Sequence, residues 1–129
     1  MTFDRKYLVF ALCYALLGLS LGIYMAASQN HAELVTHAHI LMVGFVVSFV
    51  YATIHKLWLV APGRGIANLQ FIVHQVSAIT MAVGLFMLFG GMAPPAKLEP
   101  FLSVAALGVL LGMLLMIFMV LKFKGNRAA

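Results

Sequence analysis

Four apolar stretches joined by short polar turns predict an all-α membrane protein of four transmembrane helices in up-down order. Composition and spacing carry that expectation. Of the 129 residues, 64% are hydrophobic and 9% charged, with a mean hydropathy of +1.08, values that fit lipid rather than water as the surrounding solvent. Each stretch approaches the roughly 20 residues a helix needs to cross about 30 Å of hydrocarbon.

The first stretch, residues 7–27, follows Arg5 and Lys6 as a signal peptide would. It lacks a small-residue cleavage site at the right distance and outlasts the usual apolar core, so it reads as a membrane helix. Ser28-Gln29-Asn30-His31 then breaks the chain before the second stretch, 35–60. The turn Ala61-Pro62-Gly63-Arg64-Gly65 precedes the third, 67–89, and Gly90-Gly91 with Pro94-Pro95 precedes the fourth, 101–123. Links this short make consecutive helices antiparallel neighbours. Residues 1–129 therefore form a single four-helix domain, with no low-complexity tract and no soluble module.

Charge sets the expected orientation. Arg5, Lys6, Lys56, Arg64, Lys122, Lys124 and Arg127 belong to one side of the membrane, against Lys97 alone on the other. The positive-inside rule puts both termini in the cytoplasm and gives a multi-pass protein of a bacterial-type inner membrane. The net charge of +5 is not that of a nucleic-acid binder, because the bases form no stripe among polar neighbours; membrane lipid is the expected surrounding partner. Cys13 is the only cysteine, which excludes an intrachain disulfide and a thiolate cluster. It reads as a packing residue of the first helix. No nucleophile elbow, phosphate-binding glycine loop or paired carboxylate site is present, and the nine methionines are scattered as apolar filler rather than grouped at one face.

His37 and His39 are the most informative residues. They sit only a few residues inside the second apolar stretch, where an imidazole among aliphatic side chains needs a partner and is a functional candidate by default. Positions i and i+2 on a helix point about 200° apart. The two rings cannot chelate one ion together, but they can face two different neighbours, as a haem or metal shared between subunits would require. Glu33, four residues before His37 on the same face, reads either as a hydrogen-bond partner of that ring or as a solvated acid at the interface. His74, in the third helix beside Gln75 and Ser77, reads first as an interhelical hydrogen-bonder and second as a metal ligand. His55 and Lys56 with Trp58 read as an interfacial anchor, and His31 as a solvated loop residue. Three pairs of small residues four apart, Gly18/Gly22, Gly44/Ser48 and Gly108/Gly112, mark places where helices can approach closely.

The segment His37-Ala38-His39-Ile40-Leu41-Met42-Val43-Gly44, ending in Ile54-His55 before Trp58, resembles the tenth helix of subunit I of the haem–copper oxidases. That helix carries an H-x-H motif near its outer end, then a glycine, then Ile-His near its inner end. The likeness continues through His74, near a family histidine at the start of helix eleven. It extends through residues 90–97, similar to the loop after helix eleven, and through residues 115–119, similar to the end of helix twelve. The chain thus resembles the last four-helix arc of a larger subunit built from three such arcs.

The resemblance implies haem b as cofactor, with His37 and His39 as axial ligands and Lys97 in the place of the arginine pair that holds the haem propionates. It also implies a homotrimer that regenerates the twelve-helix ring, with a haem at each interface taking His37 from one copy and His39 from the next. A dimer is the other arrangement. The family's copper centre needs histidines from two further helices and a histidine–tyrosine crosslink, so oxygen reduction with proton pumping is not expected from this chain alone. The expected function is electron transfer from a respiratory donor, or binding of oxygen or nitric oxide. Bis-histidine ligation favours the former, and a single ligand leaves the iron open for the latter. The other readings are a copper- or zinc-binding membrane protein, with His37, His39 and His74 as candidate ligands, and a non-catalytic assembly subunit of a respiratory complex.

Overall fold

A computed structural model describes residues 1–123; Lys124 and Arg127, two of the expected topology charges, lie outside them. Four helices long and apolar enough to cross a membrane make up the fold: α1 (Phe3–Ser28), α2 (Leu34–Leu57), α3 (Arg64–Phe89) and α4 (Pro95–Lys122). Each begins several residues earlier than apolar content alone predicts, or ends a few residues before it, because polar first turns continue the backbone hydrogen-bond ladder into the interface.

The turns follow from local chemistry. α1 stops where Gln29 adopts a left-handed conformation (φ 56°), and the Gln29 amide donates to the Ala26 carbonyl at 2.8 Å. The Ser28 hydroxyl and the Asn30 side-chain carbonyl then accept from the next main-chain amides, at 3.2 and 3.0 Å. Gly91, at φ +66°, makes the α3–α4 turn, where a side chain would be strained. Pro95 opens α4 in the first turn, where a missing N–H is harmless.

α2 is not regular. Residues Ile40–Val46, immediately after His39, form a π-helical segment between two α-helical parts. Widened turns of this kind concentrate at functional sites, and neither hydropathy nor spacing foretold this one.

α1 packs along α2, and α3 along α4. All three small-residue pairs mediate close approach within the chain. A Cβ on Gly18 would lie 2.5 Å from the Leu41 side chain, one on Gly22 2.8 Å from His37, and one on Gly44 2.6 Å from Tyr14. Gly108 receives Ser77, and Gly112 lies against His74. The apolar core sits toward the end that carries the N-terminus, where Tyr7, Tyr51, Ala52, Ala67, Met116 and Met119 are buried together.

A chain of buried polar side chains stitches the four helices. Tyr14 of α1 donates its hydroxyl to the Gln75 amide oxygen at 2.7 Å, and the Gln75 amide donates to the Ser48 hydroxyl oxygen at 3.3 Å. Tyr7 donates to the Gln70 amide oxygen, and the Gln70 amide donates to the Gly112 carbonyl of α4 at 3.1 Å. In lipid these bonds replace the water that polar groups would otherwise lose. Only 22–28% of the central window of each span is buried, so most of the apolar surface, Leu12, Leu16, Leu107 and Leu114 among it, faces outward. Cys13 is on that outer surface too, rather than packed inside.

Candidate functional site

The H-x-H pair lies in the first turn and a half of α2, at the end of the bundle opposite the N-terminus. His37 turns toward α1, where Gly18 and Gly22 leave room for its ring. Its Nδ1 is 2.7 Å from the Gly18 carbonyl oxygen. His39 keeps to its own helix, with Nδ1 2.9 Å from the Val35 carbonyl oxygen. A carbonyl oxygen only accepts, so in both rings Nδ1 must carry the proton. In the neutral imidazole the lone pair then resides on Nε2. Both rings are half-buried, and neither Nε2 is taken by a hydrogen bond among the described residues. This is the tautomer that a metal-ligating histidine takes when its other nitrogen is held by a main-chain carbonyl.

The donor set therefore fits a haem iron or another metal that accepts imidazole nitrogen. The two rings do not converge within one copy.

Glu33 departs from its expected role. Its carboxylate does not meet His37 but accepts from the Thr36 hydroxyl at 2.8 Å. It is only 8% exposed, and its Oε2 lies close to the Gly90 turn. The physical reason is the glycine face of α1. It lets α2 approach so closely that the Gly18 carbonyl, which has a second lone pair beyond its helical bond, reaches the imidazole first.

His74 is fully buried and far from the pair. Its Nε2 is 3.3 Å from the Ser48 hydroxyl, and Ser48 stands eleven residues beyond His37 on α2, roughly 16 Å along a helix. Ser48 also accepts from Gln75, which ties His74 into the polar chain. His74 Nδ1 makes no hydrogen bond, although the Val43 backbone of the π segment lies alongside the ring, and Tyr51 packs edge-on at 5.0 Å. The structure thus gives His74 the hydrogen-bonding role and does not bring it to one ion with His37 and His39. Among the described residues, no three His, Cys, Asp or Glu side chains group as a metal site.

Lys97 is exposed in the first turn of α4, at the same end of the bundle as the pair. His31 is exposed in the α1–α2 turn. His55 is not an exposed interfacial anchor. It is buried, with its ring stacked on Phe3 at 5.4 Å and on Tyr7 at 5.7 Å.

Tyr7, Tyr14 and Gln70 belong to the polar chain but carried no weight in the sequence. The signal that could have found them is their position: each lies inside an apolar stretch, where a polar group must be satisfied by another helix. Compared with protein-family models, curated proteins and solved structures, the chain gives no match.

Proposed function

We propose that the chain is a b-type haem-binding membrane protein, similar to subunit I of the haem–copper oxidases, that carries electrons or binds a diatomic gas. The observation that supports this reading is the tautomer imposed on both histidines of the pair. Each Nδ1 is tied to a main-chain carbonyl, which leaves each Nε2 with the lone pair that iron takes. The π segment that follows directly adds weight, since such segments gather at functional sites.

A haem bound there supplies one-electron exchange, or a site for oxygen or nitric oxide when one axial position stays open. The chain's own contribution is orientation. Gly18 and Gly22 seat the His37 ring, Val35 holds His39 to its own helix, and the surrounding aliphatic surface excludes water. Lys97, exposed at that end, would meet a propionate. In this reading three copies close a ring through one repeated contact, in a bacterial-type inner membrane with both termini on the cytoplasmic side, and a respiratory donor supplies the electrons.

The experiment is an optical spectrum of the purified protein from cells supplemented with hemin, before and after dithionite, with native mass and haem stoichiometry measured on the same sample. Sharp reduced α and Soret bands that vanish in the His37→Ala/His39→Ala double variant are expected. A colourless native protein ends the haem reading. Stoichiometric copper or zinc without pigment would make it a metal handler, and neither pigment nor metal would leave an assembly subunit.

A further inference from the structure

At the end of the bundle opposite the N-terminus, the last turns of α1 and α3 and the α1–α2 turn enclose a cavity of about 460 Å³. We propose that this cavity is a binding site for an organic ammonium group, carried by a small amphiphilic amine or by an aminophospholipid headgroup.

The way α1 meets α3 leaves the space. Toward the N-terminus, Phe71 of α3 packs edge-on against Tyr7 and Phe10 of α1, at 4.8 and 5.3 Å, and Tyr14 bonds to Gln75. Beyond that contact, Tyr24 of α1 and Phe86 and Phe89 of α3 line the cavity instead.

Glu33 gives the cavity its charge. It stands in the wall and is only 8% exposed, although its neighbours in the turn, Asn30 to Ala32, are exposed. Oε1 accepts from the Thr36 hydroxyl, whereas Oε2 has no donor among the described residues. Oε2 comes within 3.2 Å of where a Cβ on Gly90 would stand, and Gly90 lines the same cavity. The second oxygen therefore borders the open space. A carboxylate withdrawn from water calls for a cation and for donors to its remaining lone pairs. No Lys, Arg or His stands in the wall, so the chain leaves that cation to a ligand.

The rest of the wall selects the kind of cation. Tyr24, Phe86 and Phe89 offer aromatic surface and Met92 a thioether, which attract an ammonium and its alkyl substituents. A hard metal ion needs several oxygen ligands, and no second acid lines the cavity. An anion would meet Glu33 with like charge. An alkylammonium can donate an N–H to Oε2 while its carbon atoms cover the rings. The exposed Asn30 and Ala32 set the mouth at the polar turn, within reach of water.

The test is native mass spectrometry and thermal unfolding of the full chain in neutral detergent at neutral pH. It is titrated separately with phenethylamine, phenethyl alcohol, phosphatidylethanolamine and phosphatidylglycerol. A Tm raised by phenethylamine but not by phenethyl alcohol identifies a site for a free amine. Retained phosphatidylethanolamine without a response to phenethylamine identifies a headgroup site. In either case Glu33→Gln should weaken binding by at least about tenfold, while its Tm without ligand stays native. Phe86→Leu/Phe89→Leu, which keeps the wall apolar, should weaken binding several-fold. Helix content by circular dichroism shows that each variant is folded. The proposal is overturned if no amine-bearing probe binds the native protein, if phenethyl alcohol or phosphatidylglycerol binds as well as its amine counterpart, or if either folded variant binds like the native protein.

Discussion

His37 and His39 are half-buried and engage Nδ1 with a main-chain carbonyl, whereas His55 and His74 are packed among aromatic rings with a buried ring nitrogen unpartnered. The same residue type is thus tied to the main chain at one end of the bundle and built into aromatic packing toward the other. Local surroundings produce the difference. At the end opposite the N-terminus, α1 offers glycines, so a carbonyl is within reach of the ring. Toward the N-terminal end it offers Phe3 and Tyr7, so the neighbours are rings and the polar partners come from Gln and Ser side chains.

The comparison can be broken most directly by removing the His37–His39 pair. His37→Ala/His39→Ala should lose all bound pigment while helix content and native mass stay unchanged; pigment at native stoichiometry in the double variant would sink it. A single His39→Ala variant that retains haem with a high-spin spectrum would show that His37 alone suffices to hold it.

The second largest effect is expected at the glycines. Gly44→Leu must push Tyr14 aside, because even a Cβ there would sit 2.6 Å from its ring, and overpacking of this kind costs about 1–3 kcal/mol. Gly22→Ala should act more locally, moving the His37 ring off the Gly18 carbonyl. A shifted Soret band with little change in Tm is the expected outcome, and an unchanged spectrum would show that the carbonyl does not tune the ligand.

At the buried histidine the readouts should reverse. His74→Ala empties a fully buried position and removes the bond between Ser48 and the ring, so Tm should fall, with a loss of about 2 kcal/mol, while haem content and spectrum stay native. Loss of pigment there would mean that His74 belongs to the ligand set after all. Glu33→Gln should do least. Its bond to the Thr36 hydroxyl survives as an amide–hydroxyl pair, so spectrum and Tm should both move little; a large spectral change would restore Glu33 as a partner of His37.

Much of this was legible in the chain itself. Four apolar stretches of spanning length, short links, and glycines four apart are local properties, and lipid permits few ways to satisfy them. The H-x-H pair was legible as well, since two imidazoles in an apolar run stand out. Partner choice was not. Glu33 is one turn from His37 in sequence and lost that partner to Gly18, nineteen residues away, because helix separation decides which oxygen arrives first. The π segment was hidden for a similar reason: Ile40–Val46 is as apolar as any regular turn, and the register of its backbone bonds responds to what packs on either side.

Sequence alone determined that this protein has four apolar helices of membrane-spanning length and that imidazoles stand inside them, because length, hydropathy and residue type act through solvent and need no neighbour. Tertiary structure alone decided which nitrogen of each histidine stays available, which ring is sealed, and that Tyr24, Glu33, Phe86 and Phe89 share one cavity. Those outcomes depend on distances of a few tenths of an ångström between helices far apart in the chain, and hydrogen bonds fall off steeply over that range.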